Sequence, residues 1–212
     1  MEAILELYRQ PYDPRYPVVC MDEASQPLIG ETRIPLPLGE GRPLCSDYEY
    51  VRNGVCNQFV FCEPLRGWRK VFVRARRTKI EWAHCLREIL DGHYPDAIQV
   101  QLVLDNLNTH TGASLYAAFP PAEARRLLER VAFHDTPKHG SWLNMAEIEI
   151  GVMNGQCLNR RLDDRQIVRD EVAACEQQRN QDETKVNWTF TVSDARVKLQ
   201  QDLPVNRGLT GY

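Results

Sequence analysis

The peptide Val103–Thr111 (Val-Leu-Asp-Asn-Leu-Asn-Thr-His-Thr) places a carboxylate, two amides and an imidazole directly after an apolar run with β character, Ile98–Leu104. Within that run Ile98, Val100, Leu102 and Leu104 share one side of the pleat, so Asp105 falls on the other side with Gln101 and Val103. A carboxylate at the edge of a rigid sheet, followed by Asn106, Asn108 and His110, suits a hard cation, although the same Asp105 could simply open an Asx-turn. A second short apolar run, Val18–Met21, ends in Asp22 and Glu23, which compete for the same role. If the two strands are neighbours, both carboxylates sit at one rim. A third acid, Glu147, falls in the first turn of a helix expected to start at Asn144. The pattern Asn144-x-x-Glu147 also reads as a capping box in which the Glu only satisfies a backbone N–H. Glu149 is the alternative third acid, on the side of Met145, Ile148 and Val152, whereas Glu147 shares a side with Ile150, Gly151 and Asn154. Three carboxylates from two strands and a helix can bind two magnesium or manganese ions about 3.5 to 4 Å apart.

The elements that must position these acids are legible in outline. Asn57–Glu63 and Arg69–Arg74 are β-branched and aromatic runs joined by Pro64-Leu65-Arg66-Gly67-Trp68, a spacing that predicts an antiparallel hairpin. Thr78 is a predicted helix N-cap, with Ile80, Trp82, Ala83, Leu86, Ile89 and Leu90 forming an apolar stripe up to the stop at Asp91-Gly92. The strand before Asp105 follows, then a helical stretch over 121–130 and a short strand over 131–134. Residues 143–158 and 165–180 are predicted as two closing helices, and 186–191 as a strand or packed arm. Pro11–Pro17 is an irregular lead-in, and Pro27–Pro43 is too rich in Pro and Gly to form a regular element. Strands followed by alternating helices and strands predict an α/β sheet with mixed pairing, within a single domain spanning 1–212.

Composition excludes several classes. The 212 residues are 43% hydrophobic and 26% charged, with no apolar run near the roughly 18 residues of a membrane span. A cytoplasmic protein with no membrane partner and no nucleotide cofactor is expected. Seven cysteines with no C-x-x-C pair indicate neither a disulfide framework nor a zinc ribbon. The net charge of −3 argues against nucleic-acid binding by bulk charge, yet Arg66–Lys79 carries seven cations and no acid. That run is either a solvated face or a phosphate-contacting one, with Arg76 and Arg77 among its candidates.

Three motifs in order, Cys20-Met21-Asp22-Glu23, Leu104-Asp105-Asn106-Leu107-Asn108-Thr109-His110 and His139-Gly140-Ser141-Trp142-Leu143-Asn144-Met145-Ala146-Glu147, resemble the DDE transposases of bacterial insertion sequences related to the Tc/mariner superfamily. The likeness continues through Gln156–Arg161 and Asn187–Phe190 and so covers nearly the whole chain. It implies a ribonuclease H-like fold, a mixed five-stranded sheet flanked by helices. It also implies cleavage of DNA at transposon ends and strand transfer into target DNA, often at TA dinucleotides, with two Mg2+ or Mn2+ ions. Asp22, Asp105 and Glu147 would be the three acids, Glu147 being chosen over Glu149 by the leucine and asparagine that precede the family's glutamate. One ion would lie between Asp22 and Asp105 and activate the attacking oxygen; the other, between Asp22 and Glu147, would stabilise the leaving 3′-oxygen. The partners implied are terminal inverted repeats, target DNA and a second copy in a homodimer. Asn106, Asn108, His110, Lys138, His139 and Trp142 are candidate DNA contacts, each with a plainer alternative as a turn, loop or core residue. Complete members begin with helix-turn-helix modules, and position 22 leaves no room for one before the first acid; a non-cleaving remnant that binds nucleic acid or dimerises is therefore the rival expectation.

Overall fold

The computed structural model describes residues 1–34, 39 and 47–198. Five strands form one mixed sheet: β1 (Val18–Glu31), β2 (Tyr50–Glu63), β3 (Trp68–Arg74), β4 (Val100–Leu104) and β5 (Val131–Asp135). Their order is β3-β2-β1-β4-β5, with β2 antiparallel to both β1 and β3, and β4 parallel to both β1 and β5. The helices are α1 (Glu2–Tyr8), α2 (Lys79–Glu88), α3 (Gly112–Ala118), α4 (Pro121–Glu129), α5 (Ala146–Met153), α6 (Arg165–Gln181) and α7 (Val192–Lys198).

Strand alternation sorts the core into layers. Val19 and Met21 of β1, Phe59 and Phe61 of β2 and Val100, Leu102 and Leu104 of β4 turn to one face, where Trp82 and Leu86 of α2, Leu115 of α3 and Leu127 of α4 cover them. The alternate residues Cys20, Cys62 and Val103 turn to the other face and meet Leu5 and Tyr8 of α1 with Leu143, Met145 and Ala146. Farther along that side, Val60, Val71 and Val73 pack on Met153 and on Val168 and Val172 of α6.

The expected hairpin forms, with Phe59 opposite Phe72 and Val60 opposite Val71. Its turn uses Gly67 at φ +73°, where a Cβ would stand 2.3 Å from the Glu183 carbonyl oxygen. Gly67→Ala is therefore expected to lower stability by about 2 kcal/mol or more, read as a lower urea midpoint at unchanged m-value, because both the backbone region and the neighbouring carbonyl oppose a methyl. Thr78 caps α2 as expected, its hydroxyl accepting the Glu81 N–H at 3.3 Å, and a π-helical turn, Ile89–His93, ends the helix.

Several expectations are corrected. The stretch from Pro27 is not wholly irregular, since β1 continues to Glu31 with a register shift between Pro27 and Ile29. β4 pairs with β1 only over Val18–Cys20, so beyond that point β1 is free on its second side and tolerates a proline. The Ile29 N–H there donates to the Leu162 carbonyl at 2.7 Å. The rest of the Pro27–Pro43 expectation falls mainly on 35–38 and 40–43, outside the described residues. The single helix expected over 143–158 is instead a 3-10 turn (Ser141–Leu143), α5 and a π-helical turn (Asn154–Leu158). α1 and α3 lacked a clear period and were not anticipated. The 186–191 segment packs as an arm, with Trp188 against Tyr8 at 5.4 Å between ring centroids.

Candidate active site

Asp22 and Asp105 stand side by side at one rim. Cys20 lies opposite Val103 in the parallel β1–β4 ladder; Asp22 follows two residues later within β1, and Asp105 two residues later, one position past the end of β4. Both therefore continue the face shared by Cys20 and Val103, the face on which α5 packs. Glu23 has the opposite parity and turns toward the α2 side, which separates it physically from Asp22.

Asp22 is 8% exposed. One carboxylate oxygen accepts the Glu23 N–H at 2.7 Å and the other faces the Asn144 amide at 3.3 Å. Burial pushes its pKa up to about 6; the Glu23 N–H opposes the rise, the charges of Glu147 and Asp105 add to it, and His110 works against it. Two like charges thus bear on a half-desolvated carboxylate, an arrangement that a divalent cation would relieve.

Asn144, fully buried, is the tie between helix and sheet. Its side-chain N–H2 donates to the Met21 carbonyl at 2.8 Å, and its side-chain oxygen accepts the Ala146 N–H at 3.2 Å. It does not cap α5, whose first flanking residue is Met145, and the Glu147 N–H goes to the Asn144 main-chain oxygen. The capping-box geometry is absent, and Glu147 is exposed at the start of α5. Glu149 is 2% exposed and held by Arg69 at 3.3 Å and by Arg179 at 3.0 Å. Its charge is spent inside the fold, joining α5 to β3 and α6.

His110 is buried against Trp82, with ring centroids 5.5 Å apart. Its Nδ1 lies 2.8 Å from Asp105 Oδ1 and its Nε2 lies 3.0 Å from Glu23 Oε1. Burial disfavours the charged ring, but the hydrogen bonds to Asp105 and Glu23 outweigh it and push the pKa up to about 9. With its ring enclosed, His110 does not offer the DNA-facing surface expected of it. Sequence reasoning missed the Glu23–His110 link and the anchoring role of Asn144, since both depend on pairings between distant segments.

The remaining candidates spread around the rim. Asp105, Asn106, Lys138 and His139 line one cleft of about 420 Å³ with Thr136 and Ser141. Asn108 is exposed in the same loop as Asn106, while Trp142 is 45% exposed and stacks on Trp188 at 6.4 Å. The cationic run is largely paired within the protein: Arg69 with Glu149, Lys70 with Glu176, Arg74 with Glu81, and Arg77 with Glu23 at 3.9 Å. Arg76 is exposed and makes no ion pair among the described residues.

Among the described residues no three His, Cys, Asp or Glu side chains are gathered in a geometry that could hold a metal ion. The carboxylates at this rim are oxygen donors, the type that magnesium or manganese takes one or two at a time together with waters and substrate phosphates.

The DDE superfamily endonuclease model matches residues 17–169, a span that includes Asp22, Asp105 and Glu147. No curated protein matches the chain in sequence. Among solved structures it is similar to a Mos1 mariner paired end complex with Mn (TM-score 0.54, 15% identity, covering 86% of this chain and 56% of that one). It is similar also to the Mos1 strand transfer complex (TM-score 0.59, 13% identity, 86% and 54% covered) and to a Mos1 paired end complex with Mg (TM-score 0.54, 18% identity, 86% and 53%). The chain thus spans a little over half the length of these solved chains, and the likeness gives the fold, a ribonuclease H-like mixed sheet flanked by helices. With the family model covering most of its length, the chain belongs to the DDE superfamily endonucleases.

Proposed function

We propose that the chain acts as the catalytic domain of a transposase of the Tc/mariner-related insertion-sequence type, cutting DNA at transposon ends and joining it to target DNA. The observation that carries this reading is Asp22, a buried carboxylate whose charge is opposed by both Asp105 and Glu147 at one rim. Asp22 and Asp105 would hold one divalent cation and Asp22 and Glu147 the other, Mg2+ or Mn2+ serving equally. When bound, such cations activate an attacking oxygen and neutralise charge on the leaving one.

The chain's own residues do the rest. Asn144 ties β1 at Met21 and Asp22 to the first turn of α5, the turn that carries Glu147. Lys138 and His139 line the cleft beside Asp105 and would take backbone phosphates, with Asn106 and Asn108 on its opposite loop. Trp142, half-exposed next to Ser141 in the 3-10 turn, would offer a stacking face to a base. Arg76 would extend the phosphate track; Arg77 would do so only by leaving Glu23.

Nicking of supercoiled plasmid tests the reading. Conversion to open circles is expected in Mn2+ or Mg2+, absent in EDTA, and reduced to background by Asp105→Asn. Nicking that persists in that variant would sink the assignment. DNA retention without cleavage in either metal would instead make the chain a binding or dimerisation module.

A further inference from the structure

Asp105 lies one residue past the end of β4, where no sheet partner holds it, and its side chain is 26% exposed. Among the described residues its carboxylate has one hydrogen-bond partner, His110 Nδ1 at 2.8 Å, through Oδ1. The other nitrogen of the same ring meets Glu23 Oε1 at 3.0 Å, and Glu23 sits within β1 at 6% side-chain exposure. Both ring nitrogens face carboxylate oxygens, so both donate. The imidazole therefore bridges β1 and the end of β4 just past Cys20 and Val103, the last pair of their ladder. Trp82, with no exposed surface, lies at 27° to the ring and fixes its plane.

We propose that His110 is a positioning residue, a strut braced on Glu23 that fixes the Asp105 carboxylate through Oδ1 and leaves Oδ2 to a cation. It rests on the reading of Asp105 as a cation ligand. Outer partners that orient a ligand typically govern affinity by about 10 to 100-fold, because a carboxylate free to rotate must be ordered each time it binds. Glu23 does not touch the ion in this scheme; it holds the strut upright.

Mn2+ titration of the full chain in the absence of DNA, followed by calorimetry below the melting transition, separates orientation from mere folding. His110→Ala is expected to weaken Mn2+ binding by about tenfold or more while the circular dichroism stays native. His110→Asn, whose amide can replace the Nδ1 donor, is expected to recover most of that loss. Glu23→Gln, which keeps an acceptor for Nε2, is expected to bind within about threefold of the parent, whereas Glu23→Ala follows His110→Ala. Folded His110→Ala that binds Mn2+ as the parent does would overturn the strut. Should the parent itself take up no Mn2+, the metal-site reading falls, and the strut is then decided by a metal-free crystal structure of His110→Ala. Asp105 swung out of its present position there supports it, and Asp105 unmoved overturns it.

Discussion

Asp22→Asn is expected to make the metal-free protein more stable while abolishing metal-dependent nicking. Burial, with Glu147 and Asp105 nearby, lifts the Asp22 pKa from its ordinary 3.8 to about 6. A raised carboxylate pKa means that the folded state favours the proton. The stabilisation it brings is complete below pH 3.8 and disappears as the pH rises through about 6. The gap corresponds to about 3 kcal/mol, the cost of carrying an ionised Asp22 in the fold at neutral pH. Asparagine removes that charge but sets its N–H2 against either the Asn144 N–H2 or the Glu23 N–H, both donors, so a net gain of about 1 to 2 kcal/mol is expected at pH 7.5. Urea unfolding in EDTA at several pH values reads this out. The advantage of the variant should vanish as the pH falls below about 6 and reverse to a deficit of about 1 to 2 kcal/mol below pH 4, where only the hydrogen-bond cost remains, and added Mn2+ should stabilise the parent alone. An Asp22→Asn protein less stable than the parent at pH 7.5 in EDTA would mean that the carboxylate cluster is not strained. The trade runs in the direction known for sites that store electrostatic strain for function.

The parts of this fold that rest on local signals were legible in the sequence. The β2–β3 hairpin, the Thr78 cap and the strand that delivers Asp105 each follow from period-2 alternation, from turn chemistry or from a hydroxyl at a helix start, whereas Asp22 lies inside β1 and not at the strand end expected for it. What depends on distant partners was not. On sequence the first strand ends at Asp22 and Glu23 and Pro27 opens an irregular stretch, yet β1 runs on through Pro27 to Glu31, because its second side has no strand partner after Cys20 among the described residues. The cationic run from Arg66 to Lys79 looked available to phosphate, yet acids on α2, α5 and α6 engage much of it: Glu81 takes Arg74, Glu149 takes Arg69, and Glu176 takes Lys70. The choice between Glu147 and Glu149 was the hardest case. α5 is apolar on most sides, with Ile148, Ile150, Val152 and Met153 spread around it, so helical periodicity marks no clear inner face.

Arg69 and Arg179 engage Glu149 in the fold, and a paired substitution tests whether Glu147 is the third acid. Glu149→Gln is expected to destabilise the protein by about 3 kcal/mol, because it leaves the buried guanidinium of Arg69 without its counter-charge. Arg69 has few alternatives: it already donates to the Thr184 carbonyl at 2.6 Å, and its side-chain exposure is 4%. Arg179 loses the same partner but keeps more contact with water, at 13% exposure. Glu147→Gln alters an exposed side chain and should leave the urea midpoint within about 0.5 kcal/mol of the parent. Activity should divide the other way. Glu147→Gln is expected to reduce Mn2+-dependent nicking to background in a fully folded protein. Glu149→Gln, assayed well below its lowered melting temperature, should still nick in proportion to its folded fraction. The reverse pattern, with Glu147→Gln active and folded Glu149→Gln inactive, would move the third ligand to Glu149 and require Arg69 and Arg179 to release it when the cation binds.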